Sequence, residues 1–168
     1  MNIRSITMFF CIAILIASCK KDDFGYQSQN YPDVPVTVGN KWIQYNGVPV
    51  VQTSLSGGGA ITIKLDIPAE TGRTIKEIKR VALNSTSNAG YASVRKTTGL
   101  YNTAPIPGNG TSVTFTTTVA EYLTKIGSST TPASGTATSF LGNYFYFLIV
   151  LDNGQEVIPV PVRVYVNP

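Results

Sequence analysis

No histidine occurs anywhere in the 168 residues. Its absence removes the commonest general base at neutral pH, the Ser-His and Cys-His nucleophile pairs, and the commonest ligand for zinc and copper. Cysteine is nearly absent: the two present, Cys11 and Cys19, both fall within the first nineteen residues. Residues 20–168 can therefore form no disulfide and offer no thiolate, and carboxylates alone favour hard cations over zinc or copper. Charged residues make up only 13% of the chain, so the net charge of +4 comes from scattered side chains rather than a basic block. Nucleic acid is not an expected partner on that pattern. A fully apolar run long enough to span a bilayer, about 20 residues, is also missing.

What the N-terminus does contain is a three-part export signal. Arg4 is the basic start, Ile6 to Ile16 form a short apolar stretch, and the small residues Ala17 and Ser18 follow. Ile16-Ala17-Ser18-Cys19 resembles the bacterial lipobox. That resemblance implies cleavage before Cys19, diacylglycerol on its thiol and an acyl chain on its new amino group. More than one chain makes anchoring durable, because each buried methylene contributes about 0.8 kcal/mol. Lys20-Lys21-Asp22-Asp23 is similar to the charged tetrads behind the lipid cysteine in surface-exported lipoproteins of Bacteroidota-type bacteria, and also suits a plain solvated tether. The expected organisation is a signal peptide over 1–18, a lipidated cysteine and tether over 19–35, and one domain over 36–168. The implied location is the outer membrane, lipid-anchored and exposed at the cell surface.

From Val36 onward, short Val-, Ile-, Thr- and Tyr-rich runs alternate with Gly, Ser, Asn and Pro. Strands are expected at Lys41–Tyr45, Val48–Thr53, Ala60–Ile67, Thr74–Leu83, Tyr91–Thr97, Thr111–Thr118, Asn143–Leu151 and Gln155–Val166. Ala60–Ile67 alternates cleanly, with Ile61, Ile63, Leu65 and Ile67 on one face and Thr62, Lys64 and Asp66 on the other. Thr74–Leu83 is ambiguous, since Ile75, Ile78 and Ala82 also fit helical spacing. Val119–Ile126 reads as one short connecting helix.

The Asn153-Gly154 dipeptide suits a two-residue type I′ hairpin, in which both central residues need positive φ. Such a turn would oppose Phe145 to Val162, Phe147 to Val160 and Ile149 to Ile158 on an apolar face. The reverse face would pair Tyr144 with Arg163, Tyr146 with Pro161 and Leu148 with Pro159, with Tyr165 beyond. A one-residue slip would exchange the faces. Pro159 and Pro161 cannot donate to a ladder, so the last strand must be an edge or its first half unpaired.

These patterns predict an all-β chain folded as a single β-sandwich of about seven or eight strands with one short connecting helix. The Thr-rich strand Val113-Thr114-Phe115-Thr116, the 119–126 helix, the aromatic strand Tyr144–Val150, the Asp152-Asn153-Gly154 turn and the Val-rich end resemble immunoglobulin-like modules of Bacteroidota surface lipoproteins. Some of those modules accompany glycan-uptake transporters, as in the starch-utilisation SusE-like proteins, and others serve adhesion. The resemblance implies a non-catalytic binding or accessory module for glycan capture or adhesion.

The chemistry left to the chain is limited. Asp66, Glu70, Glu77, Glu121, Asp152 and Glu156 could in principle pair for glycoside hydrolysis, yet Asp152 and Glu156 already suit a turn and its flank. Asp152-Asn153-Gly154 lacks the spacing of a twelve-residue calcium loop, and Gly57-Gly58-Gly59 lacks the Lys-Ser/Thr of a phosphate loop. No enzyme activity, metal or cofactor is expected. Lys76, Lys79, Arg80, Arg95 and Lys96 read as a solvated face. Aromatics are the remaining candidates. Tyr144, Tyr146 and Tyr165 beside Arg163 could receive a polysaccharide or another surface protein, or could lie under a loop. Trp42 could join them or pack in the core. Two rivals remain: a structural subunit completed by strand addition, and a carboxylate-dependent hydrolase.

Overall fold

The computed structural model describes residues 33–86, 89–128 and 140–168. The expected signal peptide, Cys19 and most of the expected tether lie outside the described residues.

The elements run β1 (Thr37–Val38), β2 (Ile43–Tyr45), β3 (Val48–Ser54), β4 (Ala60–Asp66), β5 (Ile75–Asn84), α1 (Gly90–Ser93), β6 (Ile106–Pro107), β7 (Ser112–Thr118), α2 (Val119–Ile126), β8 (Tyr144–Leu151), β9 (Glu156–Val157) and β10 (Arg163–Asn167). One layer has the order β1-β4-β7, all antiparallel. The other contains β6-β5-β8-β9 and β10-β3-β2, joined where Phe145 and Val162 exchange both backbone hydrogen bonds at 2.9 Å. β10 runs parallel to β3, a strand more than 110 positions earlier in the chain. The fold is all-β and sandwich-like.

Alternation decides the core. Ile61, Ile63 and Leu65 of β4 point inward with Val113 and Phe115 of β7, against Ile78 and Val81 of β5 and Phe145, Phe147 and Ile149 of β8. Phe115 joins the layers, with its ring 5.7 Å from Phe145 and 5.5 Å from Phe147. α2 starts where the Thr118 hydroxyl accepts from Glu121 N–H at 3.1 Å and ends at Gly127 with φ 67°. The cap satisfies one of the donors that a helix start leaves without a partner. The helix buries Val119 and Tyr122.

Two expectations are corrected. Tyr91–Thr97 is not a strand: Gly90–Ser93 is a helical turn that carries Val94 into a small cluster with Ala82, Tyr146 and Leu148. Tyr91 and Val94 lie three residues apart, a helical rather than a strand spacing. The turn after β8 also has three residues, not two. Leu151 N–H donates to Gln155 O at 3.0 Å, Gly154 takes φ 83°, and Asn153 keeps an ordinary negative φ. This is the geometry of a turn closed by a left-handed glycine. Ile149 therefore faces Val157 rather than Ile158.

The chain then leaves the ladder through Ile158–Pro161, where the prolines cannot donate, and regains the expected register only at Phe145 and Val162. Val160, expected opposite Phe147 in the core, is instead exposed. The type I′ turn occurs elsewhere, at Asn46-Gly47 (φ 50° and 77°), where it joins β2 to β3 with Tyr45 facing Val48. Asn46 is the only non-glycine residue with positive φ among the described residues.

Candidate binding surface

The outward face of β2-β3-β10 carries the aromatic residues. On β10, Arg163 and Tyr165 point outward while Val164 and Val166 enter the core, as a two-residue period requires. Arg163 is in register with Val50 of β3, and Tyr165 with Gln52. On the other side of β3, Trp42 N–H donates to Val50 O at 2.7 Å. Trp42 and Arg163 thus flank one residue of β3, with backbones about 10 Å apart at two strand spacings.

Ring contacts knit this face together. Trp42 lies 5.5 Å from Tyr165, Tyr165 lies 5.2 Å from Phe140, and Phe140 lies 5.4 Å from Tyr45. The Arg163 guanidinium sits 4.1 Å from the Phe140 ring centre, 5.1 Å from Tyr144 and 5.9 Å from Tyr45. Val50, though on the outward face, has no exposed surface. The same rings still face solvent: Trp42 is 50% exposed and Tyr45 44%.

Of the residues expected at a binding face, Trp42, Tyr144, Arg163 and Tyr165 come together here. The alternative placing of Trp42 in the core is corrected, because Trp42 precedes β2 on the solvent side. Tyr146 does not belong to the surface. It is fully buried beneath α1, donates its hydroxyl to Thr86 O at 2.7 Å, and meets Tyr91 edge-on at 5.5 Å. Burial pushes its phenol up to about 12. Tyr45 and Phe140 are additions. Tyr45 was legible as the residue before an Asn-Gly turn, whereas Phe140 follows a Ser/Thr-rich stretch that carries no strand signal.

Arg163 is electrostatically unusual. Its side chain is partly buried, its Nε is shielded from solvent with no hydrogen-bond partner, and no carboxylate pairs with it among the described residues. Four of the six acidic candidates are engaged elsewhere. Asp66 accepts from the Ser112 hydroxyl at 2.6 Å and faces Lys64 at 3.2 Å, while Glu121 accepts from the Thr117 hydroxyl at 2.9 Å. Asp152 lies 3.9 Å from Arg73, and Glu156 accepts from Lys79 at 2.7 Å. The Lys79 hydrogen bond holds Glu156 below the usual carboxylate range, with Arg80 and Arg95 adding to it.

No group of three potential metal ligands occurs among the described residues. Two open clefts of about 310 and 330 Å³ meet at Tyr101 and Lys125, away from the aromatic surface. Comparison with family models, curated proteins and solved structures returns no match to this chain.

Proposed function

We propose that this protein is a non-catalytic lipoprotein, held at the bacterial outer membrane through Cys19 and exposed at the cell surface, whose sandwich binds glycan. The observation that carries the reading is the outward aromatic face of Trp42, Tyr45 and Tyr165 grouped around Arg163. A pyranose has an apolar C–H face that packs on an aromatic ring, and hydroxyls that need polar groups at the rim. Exposed rings with a cation among them offer both. The sequence resemblance to surface lipoproteins adds the membrane tether, which keeps such a surface where polysaccharide arrives.

The test uses the full chain purified in detergent and applied to a glycan array. Trp42 is the sole tryptophan, so its fluorescence reports directly on the proposed surface. Glycan binding should protect Trp42 from iodide quenching, and Trp42→Ala should abolish retention while Tyr91→Ala, on the α1 side, leaves it unchanged. Retention that survives Trp42→Ala would remove the site. The anchor is tested separately: cells grown with labelled palmitate should label the wild-type chain and not Cys19→Ser.

A further inference from the structure

We infer that the sugar this surface selects carries a carboxylate, as in a uronic-acid polysaccharide, and that Arg163 reads it. The inference rests on the glycan reading above and narrows it to an acidic class.

The starting point is an arginine without an acid. Arginine is seldom withdrawn from water unless a carboxylate or several acceptors pair with it. The other two partly buried cations among the described residues are both partnered, and Lys79 meets Glu156 at 2.7 Å. Arg80 reaches a backbone carbonyl, that of Arg95, at 2.7 Å. Among the described residues Arg163 has only ring faces, those of Tyr45, Phe140 and Tyr144. These rings hold the guanidinium in place without neutralising it or accepting its hydrogen bonds in the plane. Its planar fork is therefore ordered beforehand, and the entropy of fixing a long side chain is already spent before an anion arrives.

The partner must satisfy both halves of the surface. A free inorganic anion would use Arg163 and leave the exposed ring of Trp42 without a role. A neutral sugar would use Trp42 and offer Arg163 only hydroxyls, which leave its charge uncompensated. A uronate joins a stacking face to a carboxylate on one ring, and a polymer of uronates repeats the pair along its length. Trp42 and Arg163 flank Val50 across a single strand, a span that adjacent sugars of one chain can bridge. A carboxylate on the fork would be held by charge-assisted hydrogen bonds, shorter and stronger than those to a hydroxyl.

The experiment compares polygalacturonate with its fully methyl-esterified form, the same polymer with the carboxylate masked, on the full chain in detergent. A hydrogen bond to a charged group contributes about 1.5–3 kcal/mol, so the acid form should bind on the order of ten- to a hundredfold more tightly. Arg163→Gln should reduce the acid form to the level of the ester. Arg163→Lys should recover only part, because an ammonium keeps the charge and loses the fork. Lys96→Gln, an exposed cation just beyond α1, should change neither, which separates Arg163 from the general positive charge of the protein.

The comparison of acid and ester requires no variant, so a folding defect in Arg163→Gln cannot obscure it. Equal binding of the two forms overturns the inference and leaves glycan binding standing. An acid preference that persists in a folded Arg163→Gln overturns it as well. Failure to bind either polymer or any sugar of the array overturns both.

Discussion

Gly90 offers the sharpest test of where Tyr146 sits, and hence of which tyrosines can meet a ligand. Gly90 occupies the first position of α1 with an ordinary backbone conformation, so only its missing side chain is at stake. A Cβ there would fall well inside contact distance of Cε2 and Cζ of Tyr146. In an open helix, Gly→Ala stabilises by about 0.5–1 kcal/mol. Overpacking a close-packed site costs about 1–3 kcal/mol.

The upper part of that range applies because the ring cannot step back. Tyr146 is fully buried, its hydroxyl is tied to Thr86 O, and Tyr91 closes its edge. Gly90→Ala should therefore destabilise by about 1–2.5 kcal/mol net, lowering the urea midpoint by roughly 1 M for a domain of this size. Tyr146→Val removes the colliding ring atoms. In that background Gly90→Ala should be neutral or stabilising, and the double-mutant cycle should show a coupling above about 1 kcal/mol. The assay is equilibrium urea unfolding followed by far-ultraviolet circular dichroism. A Gly90→Ala protein as stable as wild type, or an equal loss in both backgrounds, would mean that α1 does not lie on Tyr146. Tyr146 would then rejoin the candidate surface.

Thr118→Ala should cost about 1 kcal/mol, seen as a melting point lower by about 2–4 °C, because the Glu121 N–H loses its cap; Thr118→Ser should restore most of it. Tyr146 has a folded pKa raised to about 12, so its contribution is complete below the unfolded value near 10 and is lost as pH rises toward 12. Wild-type stability should fall across that window, and Tyr146→Phe should flatten its share of the fall in alkaline urea titrations. Glu156 has a lowered folded pKa, so its contribution is present above the unfolded value and disappears as pH falls through the folded one. Because the pair is exposed, Lys79→Gln should reduce stability by no more than about 0.5 kcal/mol at neutral pH, and by nothing in acid or at high salt.

The candidate site was only partly legible because its residues differ in how local their signals are. Trp42, Tyr144, Arg163 and Tyr165 could be named since each stands near a strand with a readable alternation. Their convergence depends on β10 lying parallel to β3, a contact between residues more than 110 positions apart. Phe140 joins through a single bridge to Tyr165, a pairing with no local signature. Tyr146 and Tyr144 share one face of β8 by alternation alone, yet α1 covers the first and leaves the second at the edge of the aromatic surface.

The sequence by itself determined the all-β class, the inward faces of β4 and β8 and the helix 119–126, while its prolines left the last strand either an edge or unpaired in its first half. These follow from alternation, side-chain capping and the missing N–H of proline, which act within a few residues. Only the tertiary structure decided which Asn-Gly took the type I′ turn, which tyrosine was buried, and which rings surrounded Arg163. A turn's residue count responds to the pairing of both strands beyond it, and a sheet face is buried or open according to what distant chain lies across it. Arg163 shows the difference most directly: its outward direction is set by the period of β10, but its lack of an acidic neighbour among the described residues exists only once the strands are assembled.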